Sequence, residues 1–461
     1  ALLALAAAAA LPAAQPAAAQ SSNAELLNEL KALRQRVDEL EKKLAAQPQA
    51  PQPGQWGMTP EQARELSRIA TKTEALEDNA EAAGFKGLKI SGLIDPTYIY
   101  NKNQRTSSVV FLNNFAGDSE VFAYDNSYFG MAVIDFQKEM EGGVRWRLTL
   151  APHKSVGSNY NYPSIVHEAS VSVPITDLQT RWWAGQIPDW SGYEYYLANQ
   201  TKFITHNMMF DFLAPTYYTA VGTDITSGKW MWKTALGNMN SSRNNPGDDG
   251  KSLRSPVFST RVDYSKGEFN GWGAALQYGK VTNNVAGGYS DLINSEVDGY
   301  FIRGDLTLQG QLNYGTQKDA AFNGGDARWW GLSGLLAFKV TPRLELAARM
   351  DYLNNKHNGG GTFNIAFGTD ANGAPAPDGR NGFGPGMVYD DATAVWSVLD
   401  PDTGANRYAL SLGMNYVLTQ NIVLKAEYRY DRANLAVFQE LPSGDWRKDN
   451  HLLGASVAVS F

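Results

Sequence analysis

The chain has 461 residues, a formal charge of −7 and no cysteine. The lack of cysteine excludes a disulfide framework, a thiolate metal site and a cysteine nucleophile. Acidic residues outnumber basic ones (47 against 40) and no long basic tract occurs, so nothing in the composition indicates nucleic-acid binding.

The first residues are rich in alanine and leucine and end in Ala-Ala-Ala-Gln. Residues 1–19 resemble the apolar and cleavage regions of a secretory signal peptide, with cleavage expected after Ala19. An alanine-rich linker is the alternative. Beyond this segment no apolar run reaches the roughly 18 residues of a membrane-spanning helix.

Residues 23–47 carry apolar side chains at alternating spacings of four and three residues. This heptad pattern predicts a parallel coiled coil, which is expected in the periplasm because the preceding segment would direct export. The stretch from Arg36 to Glu41 also resembles a short trimerisation motif of three-stranded coiled coils, which implies a homotrimer. A lone amphipathic surface helix is the alternative. The predicted trimerisation residues are Leu26, Leu30, Leu33, Arg36, Val37, Leu40, Glu41 and Leu44.

A Pro/Gln-rich linker follows at residues 48–58. A second helix is predicted over residues 59–84, with Thr59 as the N-cap, Pro60 at the first helical position and Gln62 completing a capping box. This helix either extends the coiled coil or plugs the β-barrel that the rest of the chain is predicted to form, and the sequence leaves both possibilities open.

From residue 88 to residue 461 apolar and polar side chains alternate with a period of two, which predicts strands. Most of the sixteen segments have the length that a tilted strand needs to cross a bilayer, about 9–11 residues. Their predicted cores are residues 88–101, 126–138, 143–152, 165–174, 178–187, 216–224, 228–238, 255–264, 271–281, 297–306, 308–316, 329–340, 343–354, 407–417, 421–433 and 450–461.

Short connections alternate with long ones throughout this region. The long connections are residues 102–125, 153–164, 188–215, 239–254, 282–296, 317–328, 355–406 and 434–449. An even number of strands, with both ends on the short-connection side, predicts an all-β transmembrane protein: a 16-stranded antiparallel outer-membrane β-barrel preceded by the coiled coil. A sandwich has no reason to place every long loop at one end.

The two faces of each strand differ in polarity. In residues 421–433, Leu424 and Tyr428 alternate with Lys425 and Glu427. An apolar face with tyrosine near its end suits lipid, and the charged face then lines a water-filled lumen. In a soluble sandwich the charged face would meet solvent, which any single strand would permit. The predicted pore-lining residues are Arg145, Arg147, Lys233, Arg261, Asp263, Arg303, Asp305, Glu345, Arg349, Asp351, Lys425, Glu427, Arg429 and Asp431.

The last strand ends in SVAVSF. It resembles the C-terminal recognition strand that the barrel-assembly machinery of the outer membrane reads, which implies that Val457, Val459 and Phe461 act as an assembly signal. The stretches ISGLIDPTYIYN, SGKWMWKTALGNMN and KAEYRYDRAN, together with this ending, resemble OmpL-like β-barrel porins and related uncharacterised proteobacterial porin-like proteins. The resemblance covers roughly residues 89–461 and implies a porin fold without indicating a solute.

The third long connection is rich in aromatic residues. The strand number is similar to that of trimeric general porins, whose third loop folds inward and narrows the pore. That resemblance implies a constriction formed by this loop, although its aromatic side chains would equally suit burial at the barrel rim or against a neighbouring subunit. The predicted constriction residues are Asp189, Glu194, Lys202, His206 and Asp211.

No metal-ligand spacing links the five histidines, and no hydrolase or phosphate-loop motif occurs. The sequence therefore predicts a non-enzymatic protein without a cofactor: an outer-membrane porin for passive diffusion of small hydrophilic solutes or ions. Expected partners are outer-membrane lipid, further copies of the chain, the barrel-assembly machinery and peptidoglycan, and no nucleic acid. Two alternatives remain, a structural or adhesive barrel with a closed lumen and a barrel-embedded hydrolase that uses His153 or His206.

Overall fold

The computed structural model of the chain describes residues 35, 42, 60–82, 87–112, 129–151, 165–240, 256–365, 368–369, 375–377, 379 and 382–461. The predicted signal peptide, the linker, all eight predicted trimerisation residues and His153 lie outside the described residues. The chain divides into two units, Ala1–Lys86 and Gly87–Phe461.

Helix α1 in the first unit spans Pro60–Ala82. Pro60 suits the first helical position because it has no N–H group to leave unpaired there. Glu61 places a carboxylate in the first turn, where it interacts favourably with the helix dipole. Leu66 and Ile69 are exposed. Among the helical residues that the structure describes, no helix is both long enough and apolar enough to span a membrane.

The second unit contains sixteen main strands, two of which are interrupted. They are β1 (Leu88–Ile94 and Thr97–Asn101), β2 (Thr106–Val110 and Ala132–Glu139), β3 (Arg145–Leu150), β4 (Val166–Asp177), β5 (Thr180–Pro188), β6 (Tyr217–Ser227), β7 (Trp230–Met239), β8 (Val257–Gly267), β9 (Asn270–Thr282), β10 (Tyr289–Arg303), β11 (Leu306–Gln317), β12 (Ala327–Lys339), β13 (Leu344–Asn354), β14 (Arg407–Thr419), β15 (Ile422–Ala433) and β16 (Asp449–Ser460).

Three short hairpins lie in the long connections. They pair Gly368–Thr369 with Pro375–Ala376, Met387–Asp390 with Val395–Val398, and Phe438–Gln439 with Trp446–Arg447. A single 3₁₀ turn, Glu141–Gly143, links β2 to β3.

Each main strand pairs antiparallel with the next, and β16 returns to β1. Leu93 of β1 lies opposite Ser460, and Thr97 lies opposite Ser456. The sheet is therefore a closed barrel, in which the backbone hydrogen-bonding groups of every strand find partners within the sheet. The predicted sixteen-stranded antiparallel barrel is confirmed.

The connection between β1 and β2 differs from the prediction. The chain already reverses at residues 102–105, and Thr106–Val110 pairs with Thr97–Asn101. The second half of β2 then pairs with the first half of β1. At the interruption of β1 the Asp95 carboxylate accepts hydrogen bonds from Gly130 N (3.1 Å) and Met131 N (2.6 Å). The predicted long connection at residues 102–125 is thus wrong for its first part, which is a tight turn and a strand.

Strand β10 begins at Tyr289 rather than at residue 297, and it pairs with β9 back to Thr282. The inward side of this additional stretch mixes Leu292 with Asn294 and Glu296, so polarity does not alternate cleanly there. The long connection predicted at residues 282–296 shrinks to 283–288 for this reason.

Outward side chains are apolar and exposed, whereas their inward neighbours are buried. In β12, Leu332 and Leu336 are exposed and alternate with the buried Ser333 and Leu335. Exposed aromatic side chains lie near both ends of the barrel: Trp182, Trp230, Trp232 and Trp272 near the short turns, and Tyr278, Tyr314, Trp330 and Tyr408 near the long connections. An apolar belt between aromatic girdles is the surface that a lipid bilayer requires.

The seam between β16 and β1 is covered by the last residue. Val457, Val459 and Phe461 share the outward face of β16. Phe461 exchanges backbone hydrogen bonds with Gly92 of β1, and a Cβ atom on Gly92 would lie only 2.2 Å from the phenylalanine ring. The glycine therefore makes room for the terminal ring on the outer surface.

Candidate functional site: the barrel interior

The connection between β5 and β6, residues 189–216, folds into the barrel, and we call it the inner loop. Its second half, residues 203–216, is buried throughout. Within it lies a short helix, α2 (Met208–Leu213), which begins after Asn207. The Asn207 side-chain oxygen accepts a hydrogen bond from Phe210 N (2.8 Å), as an N-cap residue does. All five predicted constriction residues belong to this loop.

Charged side chains of the wall hold the middle of the inner loop. Arg349 of β13 donates hydrogen bonds to the carbonyl oxygens of Thr205 (2.9 Å) and His206 (2.8 Å). Glu427 of β15 accepts hydrogen bonds from the amides of Ile204 and Thr205, each at 2.8 Å. Buried backbone groups need partners, and hydrogen bonds to charged groups are the stronger kind. The wall thus supplies the partners that the irregular loop backbone lacks.

A second set of contacts lies close to the short turns. Lys425, near the start of β15, donates through Nζ to the carbonyl oxygens of Ala198 and Thr201, the latter at 2.7 Å. Lys202 of the loop forms an ion pair with Glu345, near the start of β13 (2.8 Å). The inner loop therefore spans most of the interior, from the long-connection end of β5 to the neighbourhood of the short turns.

Glu194 joins the loop to the same arginine. Its carboxylate lies 3.1 Å from Arg349 Nη1. Beside it, the Tyr193 hydroxyl lies 2.5 Å from Ser333 Oγ, and Ser333 donates a hydrogen bond to Asp351 (2.6 Å). Burial raises the pKa of Glu194 to about 7, although the Arg349 charge acts in the opposite direction. Arg349 therefore neutralises carboxylates from both the wall and the loop.

Three glycines on the inner wall provide the space that the loop side chains occupy. A Cβ atom on Gly331 would lie 2.4 Å from Met209 Sδ, and one on Gly413 would lie 2.7 Å from the Phe203 ring. Gly454 has the same relation to Ile204, at 3.0 Å. The loop side chains therefore pack against wall positions where glycine has no side chain.

We expect Gly331→Ala to destabilise the protein by about 1–3 kcal/mol, because an added methyl group overpacks the contact with Met209 and the Tyr352 backbone. Gly334→Ala in the same strand is the matched control, since a Cβ atom there meets nothing within 4 Å. Heat-induced unfolding in detergent measures both variants. Equal unfolding midpoints for the two variants would mean that the inner loop does not pack tightly against the wall at Gly331.

His206 is buried within the loop rather than facing open space. Its Nε2 atom lies 2.7 Å from the Tyr195 carbonyl oxygen, and its ring stacks on Phe210 at a centroid distance of 4.3 Å. Burial lowers the pKa of His206 to about 3, with the positive charge of Arg349 adding to the effect and the Tyr195 hydrogen bond opposing it. The imidazole is therefore neutral at physiological pH and positions the loop.

Three groups of the inner loop predict how it responds to acid. Lowering the pH from about 7 to 4.5 favours the docked loop through Glu194, whose folded pKa is raised. Lowering it from 6.5 towards 3 disfavours the docked loop through His206, whose folded pKa is depressed. The Glu194 effect opposes the His206 effect above pH 4.5. Burial also raises the pKa of Asp189 in the same loop, which opposes the His206 effect down to pH 3.8, the ordinary pKa of an aspartate.

We therefore expect amide protection of the inner loop, measured by hydrogen exchange, to fall below about pH 3.8, where only the His206 effect remains. The variant His206→Gln should lose most of this dependence, whereas His357→Gln, at an exposed histidine of the 355–406 connection, should retain it. An unchanged acid response in His206→Gln would contradict the assignment.

The long-connection end of the interior contains an apolar core. Met208, Met209, Phe212 and Leu213 of the inner loop pack there with wall residues from β5 to β14 and with Phe363, Ile365 and Phe383 of the 355–406 connection. The Phe212 and Phe383 rings lie 4.6 Å apart, and the Arg407 guanidinium lies 5.0 Å from the Phe383 ring. Thr362 Oγ1 donates a hydrogen bond to the Phe212 carbonyl oxygen (2.8 Å). This connection therefore folds onto the inner loop and narrows that end of the interior.

The opposite side of the interior, formed by the inward faces of β2–β10, carries charged side chains outside the apolar core, several of them partly exposed, and we call this the uncovered wall. Arg147 of β3 lies 2.8 Å from Asp135 and 3.1 Å from Glu168, and its side chain remains 39% exposed. Asp224 and Lys233 lie opposite each other on β6 and β7 and are partly exposed. Oppositely charged side chains thus alternate along this wall.

Arg261 of β8 organises the last part of the uncovered wall. Its guanidinium contacts Asp298 (2.6 Å) and Asp263 (2.7 Å). Gly273 of β9 lies between the two aspartates in register, and a Cβ atom there would lie 2.2 Å from Arg261 Nη2. The glycine leaves the room that the arginine needs to bridge three strands.

The predicted pore-lining residues fall into three groups. Those beneath the inner loop and the apolar core are buried: Glu345, Arg349, Asp351, Lys425, Glu427, Arg429 and Asp431. Those on the uncovered wall are Arg145, Arg147, Lys233, Arg261 and Asp263. Arg303 and Asp305 are corrections to the prediction, because Arg303 shares the outward face of β10 with Val297 and Phe301, and Asp305 lies in the turn that follows.

The predicted constriction residues are less exposed than expected. Glu194, His206 and Asp211 are buried as side chains, Asp189 accepts a hydrogen bond from the Tyr218 hydroxyl (2.6 Å), and Lys202 is 31% exposed. The exposed side chains of the inner loop are instead Tyr195, Asn199 and Gln200. Inward residues that the sequence-based prediction missed are Arg181, Asp224, Asp298 and Arg407. Each of the four lies on the inward face of its own strand and within a predicted strand core, so the period of two within that strand is the signal that could have found it.

Within the described part of the chain, no group of three histidine, aspartate or glutamate side chains is arranged to hold a metal ion.

Residues 58–461 match a family model described as "Protein of unknown function (DUF3138)". No curated protein matches the sequence. Among solved structures, an anion-selective porin from Comamonas acidovorans is 11% identical with a TM-score of 0.50, and 81% of this chain and 99% of that chain are covered.

Two further similar structures cover the same 81% of this chain at 11% identity. They are OmpT of Vibrio cholerae in its trimer form (99% of that chain, TM-score 0.48) and OmpF of Salmonella typhi in complex with daunomycin (97% of that chain, TM-score 0.46). The similarity to the Comamonas protein shows that the fold is that of a porin-like barrel.

Proposed function

The chain belongs to the DUF3138 family of proteins of unknown function, and we propose that it is an outer-membrane porin for passive diffusion of small hydrophilic solutes or ions. The observation that carries this proposal is the divided interior. The inner loop occupies one side of a closed sixteen-stranded barrel, and the uncovered wall presents partly exposed charges on the other. Barrels of this strand number are wide enough for an aqueous channel.

The charge of the uncovered wall bears on selectivity. Its inward basic and acidic side chains are nearly balanced in number, so size contributes more to selection than net charge does. They are Arg145, Arg147, Arg181, Lys233 and Arg261 on the basic side, and Asp135, Glu139, Glu168, Asp224, Asp263 and Asp298 on the acidic side.

Single-channel recording in planar bilayers tests the proposal. The purified full chain should produce stepwise conductance, and asymmetric KCl should give only a small reversal potential. The same preparation after heat denaturation serves as the control. Folded protein that inserts into the bilayer without producing any current steps would contradict the channel.

A structural or adhesive barrel with a closed lumen is the second candidate, and the apolar core favours it. In that case the intact chain should not conduct, whereas a variant without residues 360–402 should, because the Phe383 side of the core would be missing. Conductance of the intact chain would decide against a closed barrel. A barrel hydrolase has no comparable support, since His206 is buried against Tyr195 and Phe210.

We also propose an export route and an assembly. Residues 1–19 would direct export, and residues 23–47 would form a periplasmic parallel coiled coil that joins three copies and reaches peptidoglycan. The outward Val457, Val459 and Phe461 would be read by the barrel-assembly machinery, and kinship with OmpL-like porins is part of the same proposal. The mass of the detergent-solubilised assembly and its co-sedimentation with isolated peptidoglycan test these points separately.

A further inference from the structure

A cavity of about 200 Å³ lies beneath the inner loop at the short-turn end of the barrel. Asn199 and Lys202 of the inner loop form one side of it. Lys339 at the end of β12, together with Thr341 and Arg343 of the β12–β13 turn, forms another. The barrel wall completes it through residues of β13, β14 and β15, among them Glu345, Asn415 and Lys425, so the cavity opens at the mouth of the interior.

The charge around this cavity is strongly positive. Four basic residues line it, Lys202, Lys339, Arg343 and Lys425, against the single acidic residue Glu345, which leaves a formal charge of 4 − 1 = +3. Glu345 is already paired with Lys202 at 2.8 Å. This local excess contrasts with the charge of −7 for the whole chain.

Two of these cations are available to a ligand. Lys339 and Arg343 are exposed, and within the described residues neither side chain forms an ion pair or a hydrogen bond. The Asn199 side chain is exposed beside them and adds an amide donor. Guanidinium groups bind carboxylate and phosphate oxygens through two parallel hydrogen bonds, and ammonium groups add point charges.

We propose that this cavity is a binding site for a small polyvalent anion with phosphate or carboxylate oxygens. The site contacts the anion through Lys339, Arg343 and Lys202, with Asn199 as an additional donor. Glu345 holds Lys202 in place and limits the excess positive charge. The inference rests on the proposed function, because the channel interior is the route by which a solute reaches this mouth.

Binding to the intact, detergent-solubilised chain at low ionic strength tests the site, with inorganic phosphate and succinate as probes and glycerol as the neutral reference. The double variant Lys339→Gln/Arg343→Gln should bind phosphate about a hundredfold more weakly, the size expected for loss of at least two charge-assisted hydrogen bonds. The matched control is Lys229→Gln/Lys266→Gln, which removes the same charge from exposed positions at or next to two other short turns of the same rim.

Phosphate binding that weakens only in the first double variant supports the site. Equal weakening in both double variants, or absence of binding to the unmodified chain, overturns it. The proposed function is tested separately by conductance. A chain that conducts KCl without binding phosphate or succinate overturns the anion site alone, whereas a chain that binds phosphate as described without conducting supports the site and contradicts the channel.

Discussion

Deleting residues 192–209 is expected to raise single-channel conductance about threefold, because the open cross-section of a sixteen-stranded barrel limits the current and the inner loop occupies part of it. The deletion exposes wall charges such as Arg349 and Glu427, which in the intact protein form hydrogen bonds with the backbone of the inner loop. Water that enters the enlarged lumen hydrates them, so we expect the barrel to remain folded. Recording in planar bilayers measures the effect.

The matched control removes residues 388–397, an exposed hairpin segment of the 355–406 connection. Its loss should leave conductance unchanged because these side chains lie outside the apolar core. A folded protein without residues 192–209 that still conducts like the intact chain would mean that the inner loop does not limit flow.

The substitution Arg349→Leu is expected to release the inner loop. The Arg349 guanidinium lies within 4 Å of carboxylate oxygens of Glu194 (3.1 Å), Asp351 (3.4 Å) and Glu427 (3.9 Å), and its side chain is fully buried. Removing one partner of a buried ion pair costs about 3–5 kcal/mol. The substitution leaves the hydrogen bonds of the sheet intact. The lost free energy therefore destabilises the docked state of the inner loop rather than the barrel. Amide protection of residues 193–207 should drop roughly a hundredfold or more, measured by hydrogen exchange.

Arg145→Leu is the control for this substitution. Arg145 also faces inward and pairs with Glu139 at 2.9 Å, but its side chain is 51% exposed. Exposed ion pairs contribute about 0–1 kcal/mol, so loop protection should hardly change. Comparable loss of protection in both variants would indicate a general effect of inward charge.

Arg145 and Arg349 also show what strand periodicity can and cannot predict. Alternation within a strand depends on local backbone geometry, so the sequence predicts correctly that Arg145 and Arg349 face inward. It does not predict that a segment more than 130 residues earlier in the chain covers Arg349 and leaves Arg145 exposed. Arg349, which the sequence placed on a hydrated pore wall, is instead buried and holds the inner loop in place.

The error at β10 has a different cause. Its inward side carries Leu292 beside Asn294 and Glu296, because the wall meets the apolar core at one end and ion pairs at the other. The inward face of β10 therefore changes from apolar to polar along the strand, which masks the alternation of apolar and polar residues in the sequence. The predicted strand began too late for this reason. Arg303 was assigned to the inward face from its charge, although it has the parity of the outward Val297 and Phe301 and ends the strand beside the turn.

A sixteen-stranded antiparallel barrel with long connections at one end was predictable from residues 88–461 alone. Strand alternation and turn length are encoded in neighbouring residues, so both can be read locally. Three features became visible only in the folded chain: residues 189–216 lie within the barrel, Gly331, Gly413 and Gly454 leave room for them, and a basic cavity remains beneath them. These features arise from contacts between distant segments, whose energies depend on complementary shape and charge that no local pattern records.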